Sequence, residues 1–260
     1  MSMIELSVAD GIAEVVLNAP KKLNAVDAEA LRDLAQAYRD AERQGARALL
    51  LRGEGRGFCA GRDIAGVEPQ NDDVLGYLDG AVTEAMRTMA EVRIPAFAAV
   101  QGACLGVGLG LAIATDVVYV AKGAKIGSPF ANLGATLDSG GHWLFAERLG
   151  MHRTLDLIYT ADLMSGEEAV AQGLFSRAID DEELLSFTRE KVARAAEGAT
   201  EAFLASKGLV SQIRDARIGM WKSIEEENRE QARLCATPDY VEGFAAFNEK
   251  RKPRFTGGRA

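Results

Sequence analysis

Cysteine is scarce in this chain of 260 residues. Cys59, Cys104 and Cys235 are widely spaced and form no CxxC pair. This pattern indicates neither a disulfide framework nor a structural zinc site, and it predicts a reducing, cytoplasmic location. Aromatic residues make up only 7%, but 48% of the residues are hydrophobic and no low-complexity tract or internal repeat is present. These values are typical of a globular protein with a large core.

Basic charge is also in short supply. The chain has 30 Lys and Arg against 38 Asp and Glu, a net charge of -8, which argues against general nucleic-acid binding. The basic residues Lys250, Arg251, Lys252, Arg254 and Arg259 form a local exception near the C-terminus, where they could meet a phosphate. The first residues lack a basic segment followed by an apolar stretch, so no secretory signal is expected.

Charged residues are absent altogether between Ile94 and Thr115. The run is long enough for a membrane span, but Pro95, Gln101 and several glycines interrupt it, so we predict a buried strand, a turn and a short helix instead. The amides of Gly106 to Gly108 would then lie at a helix N-terminus, which favours an anion or a developing oxyanion. Alternatively, the glycines only let the helix pack closely on the strand.

Strand and helix patterns alternate through the first two thirds of the chain. Ile4 to Val8 and Ile12 to Leu17 predict a hairpin, and Asp27 is expected to cap an amphipathic helix before a buried strand at Ala48 to Leu51. From Glu182 to about Lys250 the pattern is almost wholly helical. The sequence therefore predicts an α/β fold followed by a helical region.

A nicotinamide oxidoreductase is one alternative, because Gly102 to Gly108 matches the GxxxGxG of short-chain dehydrogenases. This glycine turn lies in the middle of the chain, however, and the next predicted strand ends in Lys122 rather than in an acidic ribose ligand. In addition, no tyrosine is followed by a lysine four residues later. These features argue against a dinucleotide site.

Several motifs, distributed over nearly the whole chain, together resemble the crotonase superfamily, the enoyl-CoA hydratases and isomerases. They are Phe58-Cys-Ala-Gly-Arg-Asp-Ile64, Gly102 to Gly110, Pro20-Lys-Lys-Leu-Asn-Ala25, Ser165-Gly-Glu-Glu-Ala169 with Gly173-Leu174, and Phe247-Asn-Glu-Lys-Arg-Lys-Pro-Arg-Phe255. The resemblance implies a spiral of β-β-α units over residues 1–195, and helices at 196–260 that close the CoA site and form homotrimers or dimers of trimers. It also implies an acyl-CoA substrate, no metal, and no cofactor beyond the coenzyme A of the thioester.

The same resemblance assigns roles to individual residues. The backbone N–H groups of Arg62 and Val107 correspond to the family's oxyanion hole, which stabilises an enolate on the thioester oxygen. Lys250 would approach a CoA phosphate, within its own subunit or across a subunit boundary, or it is simply a solvated charge. The adenosine and pantetheine path would be lined by Lys21, Leu23, Ala25, Ala60, Asp63 and Ile64. Asp63 can also be interpreted as a structural cap after the turn.

Two positions depart from the hydratase pattern. The two glutamates that handle water in hydratases are replaced by Gly110 and Phe130, and neither can move a proton. The remaining acid is Asp138, which resembles the aspartate of phenylacetate-pathway ring-epoxide isomerases, dienoyl-CoA isomerases and 4-chlorobenzoyl-CoA dehalogenases. Asp138 could instead only cap a helix. We expect the apolar Phe130, Leu133 and Leu137 to raise its pKa.

These observations predict an enoyl-CoA isomerase of fatty acid or phenylacetate catabolism, with Asp138 as its acid and base. Dehalogenation is a minor option, because His142 and His152 both follow the glycine-rich centre and the required histidine precedes it. An enoyl-CoA hydratase or a thioester hydrolase that uses Asp138 with water stays open. So does a catalytically weak protein that binds CoA esters.

Overall fold

Residues 2–65 and 67–257 are described by the computed structural model of the chain. Within these residues the strands are β1 (Ile4–Ala9), β2 (Ile12–Leu17), β3 (Ala48–Gly53), β4 (Ala96–Val100), β5 (Ala103–Leu105), β6 (Val117–Ala121), β7 (Lys125–Gly127), β8 (Met164–Ser165) and β9 (Arg177–Ile179). The α-helices are α1 (Ala28–Arg43), α2 (Val74–Tyr77), α3 (Glu84–Glu91), α4 (Val107–Ile113), α5 (Gly141–Leu149), α6 (Met151–Thr160), α7 (Gly166–Ala171), α8 (Leu184–Ala196), α9 (Thr200–Ala216), α10 (Met220–Leu234) and α11 (Pro238–Glu249).

The larger sheet has the order β1-β2-β3-β4-β6-β9. The β1–β2 hairpin is antiparallel, as predicted, and every later pair in this sheet is parallel. All five residues of β4 are buried, because helices or loops cover both faces of a central parallel strand. Helix α1 begins after Asp27, whose carboxylate accepts a hydrogen bond from the Ala30 N–H at 2.8 Å, and it buries Leu31, Leu34 and Tyr38 against this sheet.

A smaller sheet of β5, β7 and β8 lies beside the predicted glycine-rich turn. Strand β5 pairs in parallel with β7, from Ala103 opposite Lys125 to Leu105 opposite Gly127. The sequence did not reveal β5, because three residues within a glycine-rich segment show no alternation. Its pairing matters for function, since it places the N-terminus of α4 directly after the end of a short, fully paired strand.

Two other segments differ from the sequence predictions. Helical spacing of apolar residues predicts one helix from Val74 to Val92, but a π-helical segment at Leu78–Thr83 interrupts it. The residues Phe175 to Ile179 predict a strand, which begins only at Arg177. The polar residues Pro69 to Asp73 predict a mobile loop, and this segment contains a short 3-10 turn at Pro69–Asn71. Hydrophobic spacing reports which face is buried, but it does not distinguish hydrogen-bond patterns that differ by one residue.

The C-terminal part is helical, as predicted. Helix α8 packs on β3 and β4, and Leu184, Val192 and Ala196 belong to the main core. Helix α9 is fastened to the body by Lys207, which donates to the Val92 carbonyl at 3.0 Å and pairs with Asp116 at 3.0 Å. The turn between α8 and α9 lies next to the predicted boundary at residue 196, although the division into two units stays a prediction. Among the described helices, none is long and apolar enough to cross a membrane.

Candidate active site

In the turn around Gly61 and Arg62, which comes after β3, the Arg62 amide points away from the segment that contains Val26. Val26 donates its N–H to the Gly61 carbonyl at 2.9 Å, and its carbonyl accepts the Asp63 N–H at 2.9 Å. In this parallel bridge the residues on either side of Arg62 make the hydrogen bonds, so the N–H of Arg62 points to the opposite side. That amide is available to a ligand.

The second amide lies on the adjacent turn. Val107 is the first residue of α4, so its N–H has no partner inside the helix. Gly61 has a φ of +103°, and a Cβ built there would lie 2.9 Å from the Leu105 carbonyl oxygen and 3.7 Å from the Val107 nitrogen. The two turns are therefore in direct contact, and they bring the Arg62 and Val107 amides into one site.

Two buried thiols support these turns from below. The backbones of Cys59 and Cys104 form a parallel β-bridge between the two turn segments, and the Leu105 N–H donates to the Cys59 carbonyl at 3.0 Å. Both thiols are free. Burial raises the pKa of the Cys59 thiol to about 12 and that of Cys104 well above its ordinary value. Neither thiol is available as a nucleophile near neutral pH, because the thiolate is the reactive form. Their role is to pack beneath the turns.

Asp138 lies half-buried in the turn that precedes α5. Burial raises the pKa of its carboxyl, as expected, whereas the hydroxyl donated by Ser139 at 2.8 Å and the positive charge of Arg62 act in the opposite direction. Leu137 is buried beside it, but Leu133 is 67% exposed and does not form the apolar cover that we expected. A carboxyl with a raised pKa keeps its proton to a higher pH than an exposed aspartate does, which suits a group that has to return a proton.

The side chain of Arg62 is tied to a polar loop. Its guanidinium donates two hydrogen bonds to the Asp72 carboxylate, at 2.7 and 2.6 Å, and lies 4.2 Å from the centre of the Tyr77 ring. Tyr77 in turn donates its hydroxyl to the Val26 carbonyl at 3.2 Å. These contacts fix the residue that carries one of the two free amides.

No proton carrier is present at either position where hydratases have glutamates. The ring of Phe130 packs against Gly106, since a Cβ built on that glycine would lie 2.7 Å from the ring. Gly110 faces Ser139, and a Cβ built there would lie 2.5 Å from the Ser139 Cβ. Position 130 is thus filled by an apolar ring and position 110 by the turn that carries Asp138.

A family model described as enoyl-CoA hydratase/isomerase matches residues 7–258. The chain belongs to this family. It is 33% identical over 264 residues to a 1,2-epoxyphenylacetyl-CoA isomerase of Escherichia coli, covering 99% of each chain. It is also 32% identical over 259 residues to a probable enoyl-CoA hydratase of Rhodobacter capsulatus, covering 98% of each.

The solved structures confirm the fold. Enoyl-CoA hydratase subunit I of Geobacillus kaustophilus superposes with a TM-score of 0.89 at 30% identity, and the match covers 99% of each chain. The crotonase fold and the C-terminal helical region that we expected are therefore confirmed. As a member of the enoyl-CoA hydratase/isomerase family, the protein is an acyl-CoA-processing enzyme.

Most residues of the expected CoA path lie around the first of the two turns. Lys21 is in a 3-10 turn (Pro20–Lys22), and the carbonyl of Leu23, which has a φ of +51°, accepts the Ala60 N–H at 2.9 Å. Ala25 follows in the same segment, immediately before Val26. The structure thus brings these residues together.

Asp63 and Ile64 extend the path beyond the turn. Asp63 accepts the Ala65 N–H at 3.0 Å and pairs with Lys22 at 2.6 Å, so its carboxylate has a local structural role whether or not CoA contacts it. Ile64 is 59% exposed, an unusual exposure for an isoleucine that a bound ligand could cover.

Asn24 is a residue of the site region that sequence reasoning missed. Its fully buried side chain donates to the carbonyls of Glu54 and Gly57, at 3.0 and 2.8 Å, and accepts the Ala19 N–H at 2.8 Å. One amide side chain therefore joins the expected CoA-path segment to the loop after β3. A lone asparagine between two apolar residues was the available signal.

Lys250 is placed apart from the other predicted residues of the same protomer. It caps the C-terminus of α11, and the tail after it is held by Arg47, which donates to the Phe255 carbonyl at 2.8 Å. Arg47 precedes β3, whereas the CoA-path residues lie beyond the other end of that strand. Contact between Lys250 and a CoA phosphate therefore stays a prediction, in which the Lys250 of one subunit reaches the CoA bound to a neighbouring subunit.

Metal binding has no structural support within residues 2–65 and 67–257. No group of three His, Cys, Asp or Glu side chains lies close enough together there to hold an ion. Whether the protein functions without a metal or an added cofactor stays a prediction.

Proposed function

We propose that this protein is an enoyl-CoA isomerase that moves a double bond through an enolate, with Asp138 as the only acid and base. The observation that carries the proposal is the position of the Asp138 turn. Ser139, the next residue, packs on Gly110, which lies about one helical turn after the Val107 amide. A titratable carboxyl and the two amides are therefore neighbours.

The proposed reaction begins with a 3-enoyl-CoA. The Arg62 and Val107 N–H groups donate to the thioester oxygen, and each such donor contributes roughly 3 kcal/mol to stabilisation of the enolate in a dry site. Asp138 removes the proton from C2, the double bond moves, and the same carboxyl returns the proton to C4. The product is the conjugated 2-enoyl-CoA, and atoms and charge balance without water or a cofactor.

The electrostatics of Asp138 suit both halves of this reaction. Partial burial raises its pKa, so the protonated form that returns the proton is accessible. The Ser139 hydroxyl and the Arg62 charge favour the carboxylate, so the base form is also kept available. Because one group performs both transfers, the lack of a second acid at positions 110 and 130 is consistent with activity.

A second candidate substrate is a ring epoxide of phenylacetyl-CoA, as processed in phenylacetate catabolism. The similarity to the isomerase of Escherichia coli favours it. Rearrangement of such a ring thioester can use the same two amides and the same carboxyl. Hydration or thioester hydrolysis with Asp138 and water is the alternative within the family, and the Rhodobacter capsulatus relative favours hydration.

We also propose a homotrimer or a dimer of trimers in the cytoplasm. The C-terminal helices expose large apolar side chains in the single chain, among them Val210 (64%), Trp221 (75%), Phe244 (57%) and Phe247 (82%). Exposed apolar groups of this size mark surfaces that associate with protein. Sedimentation equilibrium should give three or six times the mass of one chain, and a monomer would contradict the proposal.

The deciding experiment is product analysis with a panel of 2-enoyl-CoA, 3-enoyl-CoA and ring-epoxide phenylacetyl-CoA esters. We expect conversion of 3-enoyl to 2-enoyl esters, reduced by orders of magnitude in Asp138→Asn. Asp156→Asn, on the exposed face of α6, is the matched control and should retain full activity.

Each of the other outcomes would assign a different function to the protein. A 3-hydroxyacyl product would indicate a hydratase, and free CoA would indicate a hydrolase. Binding of the esters without turnover would indicate a CoA-ester binding protein. Full activity of Asp138→Asn would show that another residue carries the proton.

A further inference from the structure

Ser139, in the turn before α5, lies in unusually close contact with Gly110 of α4. A Cβ built on Gly110 would lie 2.5 Å from the Cβ of Ser139, 2.8 Å from its carbonyl oxygen and 3.1 Å from the sulfur of Met86. Atoms do not approach this closely without displacement, and one of these three is backbone. Any side chain at position 110 would therefore push the 138–140 turn away from α4.

Ser139 is also held in a conformation that serine seldom adopts. Its φ is +51°, in the left-handed region, and it is followed by Gly140 at +81°. Such a conformation costs on the order of 1 kcal/mol or more for a residue with a Cβ, and it persists only where contacts hold it. The contact with Gly110 supports the backbone, and the Ser139 hydroxyl donates to Asp138 Oδ1 at 2.8 Å.

We propose that Gly110 and Ser139 are positioning residues that hold Asp138 against the substrate, an inference that rests on the proposed isomerase function. Gly110 has no side chain, so Ser139 can pack against α4 at this point, and from there its hydroxyl orients the Asp138 carboxyl by a hydrogen bond. A side chain at position 110 and the Asp138 turn then exclude each other. The glycine is thus a requirement of this site, and restoring a glutamate there would remove the aspartate chemistry without creating a hydratase.

The first test addresses Ser139 through the carboxyl itself, whether or not a substrate is known. The 13C signal of the Asp138 carboxyl is followed by NMR against pH, with Asp138→Asn for assignment. In Ser139→Ala the pKa of Asp138 should rise above its wild-type value, because a donor to the ionised form is lost while the Arg62 charge stays. Ser186→Ala, an exposed serine at the start of α8, is the matched control and should leave the titration unchanged.

The second test is a double-mutant cycle with isomerisation as readout. Gly110→Ala should lower kcat on the order of 100-fold with KM and CoA affinity nearly unchanged, because misplacement of a catalytic group by about 1 Å costs this much. Adding Ser139→Gly removes the closest of the three atoms around position 110, so the loss in the double variant should be smaller than the two single losses combined. Gly208→Ala, at a helical glycine with open space around it, is the control.

The outcomes separate this proposal from the proposed function. An unchanged Asp138 titration in Ser139→Ala, or additive losses in the cycle, would overturn the positioning role. An inactive wild type would refute the isomerase function instead, while the titration would still report on Ser139. If Gly110→Ala does not fold, a crystal structure of Ser139→Gly decides, since the carboxyl should then leave its wild-type position.

Discussion

Arg62 and Asp72 are joined by two parallel hydrogen bonds of 2.7 and 2.6 Å. This bidentate pair links the residue with a free backbone amide to a loop 10 positions later in the chain. The same guanidinium contributes a positive charge at Asp138. One side chain thus fastens the loop and favours the carboxylate form of the proposed base, while its backbone is left for the substrate.

The charge of Arg62 can be removed without touching its amide. In Arg62→Met the pKa of Asp138 should rise, because a cation that lowers it is lost. The base form requires a pH above that pKa, so the acidic limb of the kcat/KM profile should move to higher pH. Arg39→Met, which breaks an exposed ion pair between α1 and Glu84 of α3, is the control. A profile that does not move would show that Arg62 acts only through its loop contacts.

Gly61→Ala should damage the amide pair directly. The new Cβ would meet the Leu105 carbonyl oxygen at 2.9 Å at a φ of +103°, so the Arg62 amide would shift. Loss of one oxyanion donor lowers kcat by roughly 10²- to 10³-fold. Gly150→Ala carries a similar backbone strain at +76° but meets no neighbour, and it should affect stability rather than kcat. Equal kcat values for the two variants would argue against an oxyanion role.

Asp138→Asn should stabilise the protein at pH 8. The folded-state pKa of Asp138 is raised above its ordinary value of 3.8, because burial disfavours the charged form. Ionisation of this carboxyl therefore lowers the stability of the folded protein as the pH rises from about 3.8 through the folded-state pKa. The asparagine avoids that cost at every pH. The gain in melting temperature should therefore be largest at pH 8 and shrink as the pH falls toward 4. A variant that is less stable than wild type at pH 8 would contradict the burial effect.

Hydration of crotonyl-CoA should be negligible. Gly110 and Phe130 carry no ionisable group, and they occupy the positions at which the family resemblance expects the two water-handling acids of a hydratase. The enoyl absorbance of crotonyl-CoA should stay constant over hours with micromolar enzyme. Its rapid loss, with 3-hydroxybutyryl-CoA as product, would support the hydratase alternative.

Lys250→Ala should weaken CoA binding at low salt and have less effect at high salt, because an exposed cation binds phosphate electrostatically. Lys122→Ala is the matched control, since Lys122 is exposed, pairs with Asp180 and lies outside the basic C-terminal segment. Binding is measured by calorimetry on the assembled oligomer. Equal dissociation constants for wild type and Lys250→Ala at low salt would remove Lys250 from the site.

Local chemistry made much of the fold predictable. Asp10-Gly11 between two alternating runs favours a tight turn. A serine three positions before a glutamate favours a capping box, and Ser165 with Glu168 forms one. The strand β5 and the π-helical segment were not predictable, because pairing partners distant in sequence determine them. Asn24 was missed for the same reason, since its side chain donates hydrogen bonds to backbone carbonyls about 30 residues further along the chain.

The sequence by itself determined the fold, the family, and the absence of glutamates at positions 110 and 130. It did so because buried faces, turns and motif residues are local properties of the chain. Only the tertiary structure decided how the site is assembled. The contact of Gly61 with the Val107 turn, the Arg62 pairing with Asp72 and the packing of Ser139 on Gly110 each join segments through space, and distances of this kind are set by how the helices and turns pack together.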